Sequence, residues 1–137
     1  MKALTIWQPY ATFIAAGIKR YETRSWCTSH RGELAIHAAK LKRPDLKDYL
    51  ETLKVMYSGF DQFIYEQFPF GCIVAICNLK RVSRTQDCVP HLSEIELAVG
   101  DYSIGRFAWE LEEIEILTPP IPAVGKQGMW EWEPERV

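Results

Sequence analysis

The run Gly71–Leu79, GCIVAICNL, is the most apolar stretch of the chain and is rich in β-branched residues. A segment this short and this uniformly apolar predicts a strand covered on both faces. Such a strand needs partners along its edges and layers above and below it, so a sheet with packed helices or a small barrel is expected. The 137 residues suffice for one such core, and no repeat, low-complexity tract or Gly/Ser linker divides them. Residues 1–137 therefore read as a single domain. No apolar run approaches the roughly 18 residues of a membrane span, and Met1–Thr5 lacks the apolar core of a signal peptide. A cytoplasmic protein without membrane association is expected.

Other segments supply the partners. Ala3–Ile6 reads as a short strand. Pro9 sits where a first helical turn tolerates proline, Tyr10, Phe13 and Ile14 fall at helical spacing, and Gly17 provides a stop. Ile18–Ser25 alternates as a partly buried strand, with Glu22 and Arg24 on one face and Lys19, Tyr21 and Thr23 on the other. Trp26–Gly32 reads as a loop and Glu33–Ala38 as a strand. After Pro44–Asp45, a helical stripe runs through Leu46, Tyr49, Leu50, Leu53 and Met56 or Tyr57. Phe60–Phe68 predicts another short helix. Phe107–Leu117 predicts a long strand with Ile114 and Ile116 facing in and Glu113 and Glu115 facing out; Thr118–Pro122, TPPIP, is expected to break it. Met129–Trp132 closes the pattern, and Glu131–Val137 reads as a frayed tail. Helices do not alternate regularly with strands, which excludes a doubly wound parallel sheet and points to α+β.

The net charge of −2 argues against a strongly basic nucleic-acid binder, yet it conceals an asymmetry. Residues 1–60 carry ten Lys/Arg against five Asp/Glu, whereas residues 61–137 carry six against thirteen. If the first half gathers its charges on one face, that face attracts phosphate; scattered, they form an ordinary solvated surface. Cys27, Cys72, Cys77 and Cys88 form no CxxC pair, and His30, His37 and His91 are scattered, so no metal site is expected. Buried, reduced thiols are the simpler reading.

Three clusters hold candidate chemistry: Trp7-Gln8-Pro9-Tyr10, then GIKRYETRSW at Gly17–Trp26, and GDYSIGRFAWELE at Gly100–Glu112 with GKQGMW at Gly125–Trp130 beside it. Glu22 and Arg24 are close enough to pair, and Lys19 lies in the turn after the helix. A cation and a carboxylate beside a glycine turn hold a hydrogen-bonding or anionic ligand, or tune each other for proton transfer. An exposed ion pair, worth at most about 1 kcal/mol, leaves the same pattern. Trp7 and Trp26 beside Arg and Lys offer stacking platforms for bases, whereas Trp109 is the expected core member. GKQG lacks the spacing of a P-loop and reads as a turn that carries Lys126 toward a cleft or into solvent. His37, in LAIHAA, reads as a satisfied core or sheet-edge histidine.

Taken together, LTIWQPYATFIAAGIKRYETRSWCTSHRGELAIHAAK at Leu4–Lys40, with its GxKxxExR pattern at Gly17, Lys19, Glu22 and Arg24, resembles the ASCH (activating-signal-cointegrator homology) domain. WQPY and HRGELAIHA resemble its cointegrator-type branch, and FPFGCIVAICNLKRV, GDYSIGRFAWELE and PIPAVGKQGMWEWE extend the similarity over nearly the whole chain. The resemblance implies a PUA-like fold, a small β-barrel flanked by two or three helices, with a cleft lined by Lys19, Glu22 and Arg24. It also implies RNA or single-stranded nucleic acid as the partner, with no cofactor. Trp7, Gln8, Tyr10, Trp26, Arg106 and Lys126 complete the expected ligand-binding set.

Some members of the family are amidohydrolases that deacetylate N4-acetylcytidine with a lysine, a threonine and a distant glutamate. Lys19 matches that lysine, but the threonine position holds Glu22, and Thr23 next to it faces the other way on a strand. Glu110 is the candidate for the distant glutamate. Three functions follow from the resemblance: an RNA-binding module, a hydrolase of a modified nucleoside with Lys19 and Glu22 as catalytic groups, and a protein-interaction module in transcription or RNA metabolism.

Overall fold

The structure, a computed structural model, describes residues 1–134. The apolar run lies in β4 (Cys72–Arg84), which sits inside a six-stranded sheet between β3 (Gly32–Ala38) and β5 (Phe107–Pro122). Beyond β3 come β1 (Lys2–Ile6) and then β6 (Met129–Glu131); beyond β5 comes β2 (Tyr21–Arg24). β1 and β3 run parallel, with Leu4 opposite Ile36, and the other pairs are antiparallel. The sheet curls into a half-barrel, as expected of an α+β chain. Four helices accompany it: α1 (Tyr10–Ala15), α2 (Leu46–Met56) and the two short helices α3 (Thr85–Cys88) and α4 (Glu94–Ala98). None is long and apolar enough to cross a membrane.

The helix α1 explains how one short segment serves two cores. Ala11 and Ile14 pack on the sheet with Leu4, Ile36, Val74 and Trp109. Phe13 points the other way, into an aromatic cluster with Leu50, Leu53, Phe60 and Phe63. Its ring centroid lies 4.9 Å from Phe63 and 5.2 Å from Phe60. The predicted Phe60–Phe68 helix is not formed: only Tyr65–Gln67 makes a 3₁₀ turn. Phe60, Phe63 and Phe68 are all buried in this cluster, and their spacing of three and five residues suits an irregular path better than one helical face.

The strand β5 corrects two expectations, both through bulges. It continues to Pro122 instead of breaking at Thr118, because Ile116 pairs with Ala75 and Ile121 with Ile73 while Leu117–Pro120 bulge out of the ladder. There the missing N–H groups of Pro119 and Pro120 disrupt no strand pairing. A second bulge, with Glu113 at φ 53°, resets the alternation before Ile114. Ile114 is consequently half-buried, and Ile116 is 60% exposed instead of facing in.

The expected frayed tail is corrected as far as residue 132. Met129–Glu131 pair with β1, Trp130 and Trp132 are buried, and the Met1 ammonium donates to the Trp132 carbonyl at 2.7 Å. Glu133 and Pro134 are exposed, and residues 135–137 lie outside the described part. Of the thiols, Cys72 and Cys77 are buried and Cys27 is exposed; all four are free.

His37 is a satisfied histidine of the sheet. Trp130 Nε1 donates to Thr5 Oγ1 at 3.0 Å, and Thr5 Oγ1 lies 3.1 Å from His37 Nδ1. His37 Nε2 lies 2.7 Å from the carbonyl of Ala123, which can only accept. Nε2 therefore carries the proton, and Nδ1 accepts from the Thr5 hydroxyl. Burial lowers the pKa of the ring from its ordinary 6.5. The segment Ala123–Gly128 closes over this ring, and a Cβ on Gly125 would lie 2.5 Å from His37 Cε1 and 2.8 Å from Thr5 Oγ1.

Two outcomes follow. Because the folded ring resists protonation, its contribution to stability is full above pH 6.5 and is lost as the pH falls below it, where the unfolded chain takes up the proton first. His37→Gln is expected to be less stable than the parent at pH 7.5, with the gap narrowing at pH 5 in urea unfolding; a gap constant with pH contradicts this. Gly125→Ala is expected to lower stability by about 1–3 kcal/mol through overpacking against His37, and an unchanged urea midpoint would show that the segment yields freely.

Candidate functional site

The site begins where α1 ends. Gly17 adopts φ 80°, and the N–H groups of both Ile18 and Lys19 return to the carbonyl of Phe13. This tight exit turns Lys19 inward before β2 begins. The alternation read for Ile18–Ser25 therefore does not govern it, and its amine reaches the same side as Glu22. Lys19 is 1% exposed. Its Nζ donates to the Val99 carbonyl at 2.7 Å, lies 3.9 Å from Glu22 Oε1 and stands 5.5 Å from the centroid of the Tyr10 ring. Gly100 leaves the amine its space: a Cβ there would come within 3.3 Å of Nζ and 2.7 Å of the Tyr102 ring. Burial lowers the Lys19 pKa from 10.5, and the carboxylates of Glu22 and Glu96 partly oppose that shift.

Glu22 and Arg24 share one face of β2, as expected, and they pair. Arg24 Nη2 lies 2.9 Å and Nε 3.1 Å from Glu22 Oε2. Nη2 also donates to the carbonyl of Thr5 at 2.7 Å, which ties β2 to β1 across the mouth of the half-barrel. One Glu22 oxygen is thus held by the guanidinium, and the other faces the Lys19 amine. Thr23 is buried, and its carbonyl accepts from Arg106 Nη2 at 3.1 Å.

These groups line a hollow of about 500 Å³, within the usual range for small-molecule pockets. Trp7, 46% exposed, and Tyr10 form its aromatic wall. Arg106 stands at its rim, 3.5 Å from Asp101. Sequence reasoning missed Arg43 and Asp45, which also line it and form a 2.8 Å ion pair just before α2. Arg43 Nη1 donates to the Tyr10 hydroxyl at 3.1 Å. No local pattern marks that residue.

Glu96, behind Lys19, was also missed, although its signal was present. Ser93-Glu94-Ile95-Glu96 is a capping-box sequence, and Ser93 Oγ accepts from the Glu96 N–H at 3.2 Å. The Glu96 carboxylate turns away from the cap to accept from the N–H of Arg20. Burial raises its pKa.

Four expected site residues lie elsewhere. Gln8 is buried and bonds Thr12 and the carbonyl of Pro69, so it fixes the start of α1. Trp26 packs edge-on against the core Trp109 at 4.9 Å and accepts, through its carbonyl, from the Trp109 indole. Glu110 faces Tyr21 and has Arg81 Nε 2.7 Å from its Oε2, away from the hollow. Lys126 belongs to a second hollow, which shares Trp7 and Arg24 with the first. Among the described residues, no three His, Cys, Asp or Glu side chains converge as metal ligands would.

Comparison with known proteins agrees with this architecture. Activating signal cointegrator 1 of Homo sapiens is 38% identical over 77 residues, and that of Mus musculus is 40% identical over 78. Each alignment covers 56% of this chain and 13% of the relative, so the chain spans a small part of those proteins. The crystal structure of a mutant of the ZmASCH protein from Zymomonas mobilis superposes with a TM-score of 0.52 at 14% identity, covering 88% of this chain and 74% of that one, which shows a shared PUA-like fold. The family model for the ASCH domain matches residues 4–121, and the chain belongs to the ASCH domain family.

Proposed function

We propose that this ASCH domain binds RNA by taking one unpaired nucleobase into the hollow beside Lys19. The observation that carries this reading is the floor of the hollow, where an amine donor and a carboxylate acceptor, Lys19 Nζ and Glu22 Oε1, stand 3.9 Å apart beneath an aromatic wall. A base edge presents donors and acceptors side by side, and its faces stack on Trp or Tyr. Arg24, Arg43 and Arg106 are each matched by a carboxylate, so the interior suits an uncharged base and sugar better than a bare phosphate. Paired bases have neither edge nor face free, which favours single strands and loops over a duplex.

The Lys19 amine supports a second reading, hydrolysis of an N4-acylated cytidine. A buried lysine with a lowered pKa beside a carboxylate is poised to take up or deliver a proton. Glu22 would then activate water for addition to the acyl carbon, and the C–N bond would break to release acetate and cytidine. Glu96, whose carboxylate charge raises the Lys19 pKa against burial, would modulate the charge of the amine.

In fluorescence anisotropy with a labelled single-stranded RNA, Trp7→Ala is expected to weaken binding by about 5–150-fold, equivalent to the loss of one stacked base at about 1–3 kcal/mol. Lys19→Met, which keeps the volume of the side chain, is expected to weaken it at least about tenfold, as loss of a charged hydrogen bond does. Equal affinity for duplex and single strand, or indifference to both substitutions in folded protein, would remove the RNA reading. Incubation with N4-acetylcytidine separates the two functions: acetate release abolished by Lys19→Met supports the enzyme, and no release across a panel of acylated nucleosides eliminates it.

A further inference from the structure

The second hollow, about 960 Å³, differs from the first in charge. The carboxylates of Glu22, Asp45 and Asp101 line the first hollow, but among the described residues neither Asp nor Glu lines the second. Its charged lining consists of Arg24, Lys40 and Lys126. Lys40 and Lys126 are exposed, and among the described residues no carboxylate lies within 4.0 Å of either amine. The strap from Ala123 to Gly128 forms one wall. Among the described residues, the N–H groups of Val124, Gly125, Lys126 and Gln127 make no hydrogen bond within the protein. Lysine amines and unengaged backbone N–H groups around one concavity are the donors that an anion with several acceptor oxygens recruits.

The connection to the first hollow is direct. Trp7 and Arg24 line both, so a ligand that passes over these two side chains enters each. Arg24 engages protein acceptors through Nε and Nη2, while its Nη1 has no hydrogen-bond acceptor among the described residues. The neutral His37 ring beneath the strap adds no charge of its own.

We infer that the second hollow is a phosphate-ester site, in which Lys40, Lys126 and the strap amides hold the phosphate flanking the base that enters the first hollow. The flanking position rests on the RNA reading; the phosphate site itself does not. The division is chemical: a charge-matched chamber for the base and, for the backbone, a chamber whose two lysines have no carboxylate partner among the described residues.

The test uses two probes on the full chain. Inorganic pyrophosphate titrated into ¹⁵N-labelled protein is expected to shift the amides of Gly125 and Gly128 while leaving that of Gly100 in place. Binding should weaken at least about tenfold in Lys40→Ala/Lys126→Ala, which lacks two charge-assisted donors. Both lysines are exposed, so the double variant is expected to fold like the parent. With single-stranded RNA, the slope of log K against log salt should fall by about 0.7 in the same variant, for the one phosphate that is no longer neutralised. Pyrophosphate shifts that miss the strap or survive in the double variant overturn the site, and an unchanged salt slope for RNA that does bind overturns its flanking position. If no RNA binds but pyrophosphate still moves the strap in a Lys40- and Lys126-dependent way, the phosphate site stands, serves a free phosphorylated ligand, and the RNA reading alone falls.

Discussion

The Lys19 amine on the Val99 carbonyl fastens the exit of α1 to the end of α4, beneath which Phe13, Leu50 and Val99 share one apolar cluster. Val99 closes the short helix α4, whose last carbonyls lack partners within the helix. Lys19 satisfies one of them, and the Tyr49 hydroxyl from α2 satisfies that of Ala98 at 3.2 Å. Arg20, next to Lys19, gives its backbone N–H to Glu96 on the same helix. The exit turn of α1 is therefore fastened to α4 by adjacent residues, and β2 starts from a fixed point. Burying a lysine is costly by several kcal/mol unless its charge is answered. Here the answer comes from one carbonyl and two carboxylates, and the incomplete balance is visible as the lowered pKa of the amine. A group held in that state is suited to a ligand that completes its hydrogen bonding.

Glu22 takes its role from the same fixed point. With Oε2 held by the Arg24 guanidinium and Arg24 in turn anchored on the Thr5 carbonyl, the carboxylate cannot swing away from the amine without breaking several charge-assisted bonds. The donor and acceptor on the floor are thereby pre-positioned, and a ligand need not supply the ordering of two long side chains. Gly100 contributes by absence, since any side chain there would crowd both Nζ and the Tyr102 ring.

Much of this is legible in the sequence, for identifiable reasons. Strands buried on both faces are read from short apolar runs rich in β-branched residues, as in GCIVAICNL of β4. The pairing of Glu22 with Arg24 follows from a period of two on a regular strand. That period fails wherever the chain inserts an extra residue: at Glu113, at Leu117–Pro120 and at the exit of α1, where Lys19 comes before the first residue of β2. Arg43 and Asp45 are invisible for a different reason. Arg43 reaches Tyr10 across 33 residues of sequence through tertiary packing alone, which no local pattern encodes, and Asp45 follows it as its ion-pair partner. Trp26 misleads because an aromatic beside a cation reads the same whether it faces solvent or, as here, packs on Trp109.

The two hollows also show why net charge is a poor guide to ligand class in a chain of this size. At −2 the molecule as a whole repels phosphate weakly, and within the first hollow the arginines are matched by carboxylates. What decides the field at short range is the lining within about one Debye length, roughly 8–10 Å in physiological salt. Across Trp7 and Arg24 that lining passes from charge-matched to one in which Lys40 and Lys126 have no carboxylate partner among the described residues. The acidic residues of the second half do not cancel it, because Glu110 and Glu112 are engaged on the sheet by Arg81 and Lys80 and line neither hollow. The asymmetry between the two halves of the sequence thus becomes a spatial one: Arg24 and Lys40 from the first half, joined by Lys126 from the strap, line a cavity that no carboxylate among the described residues lines.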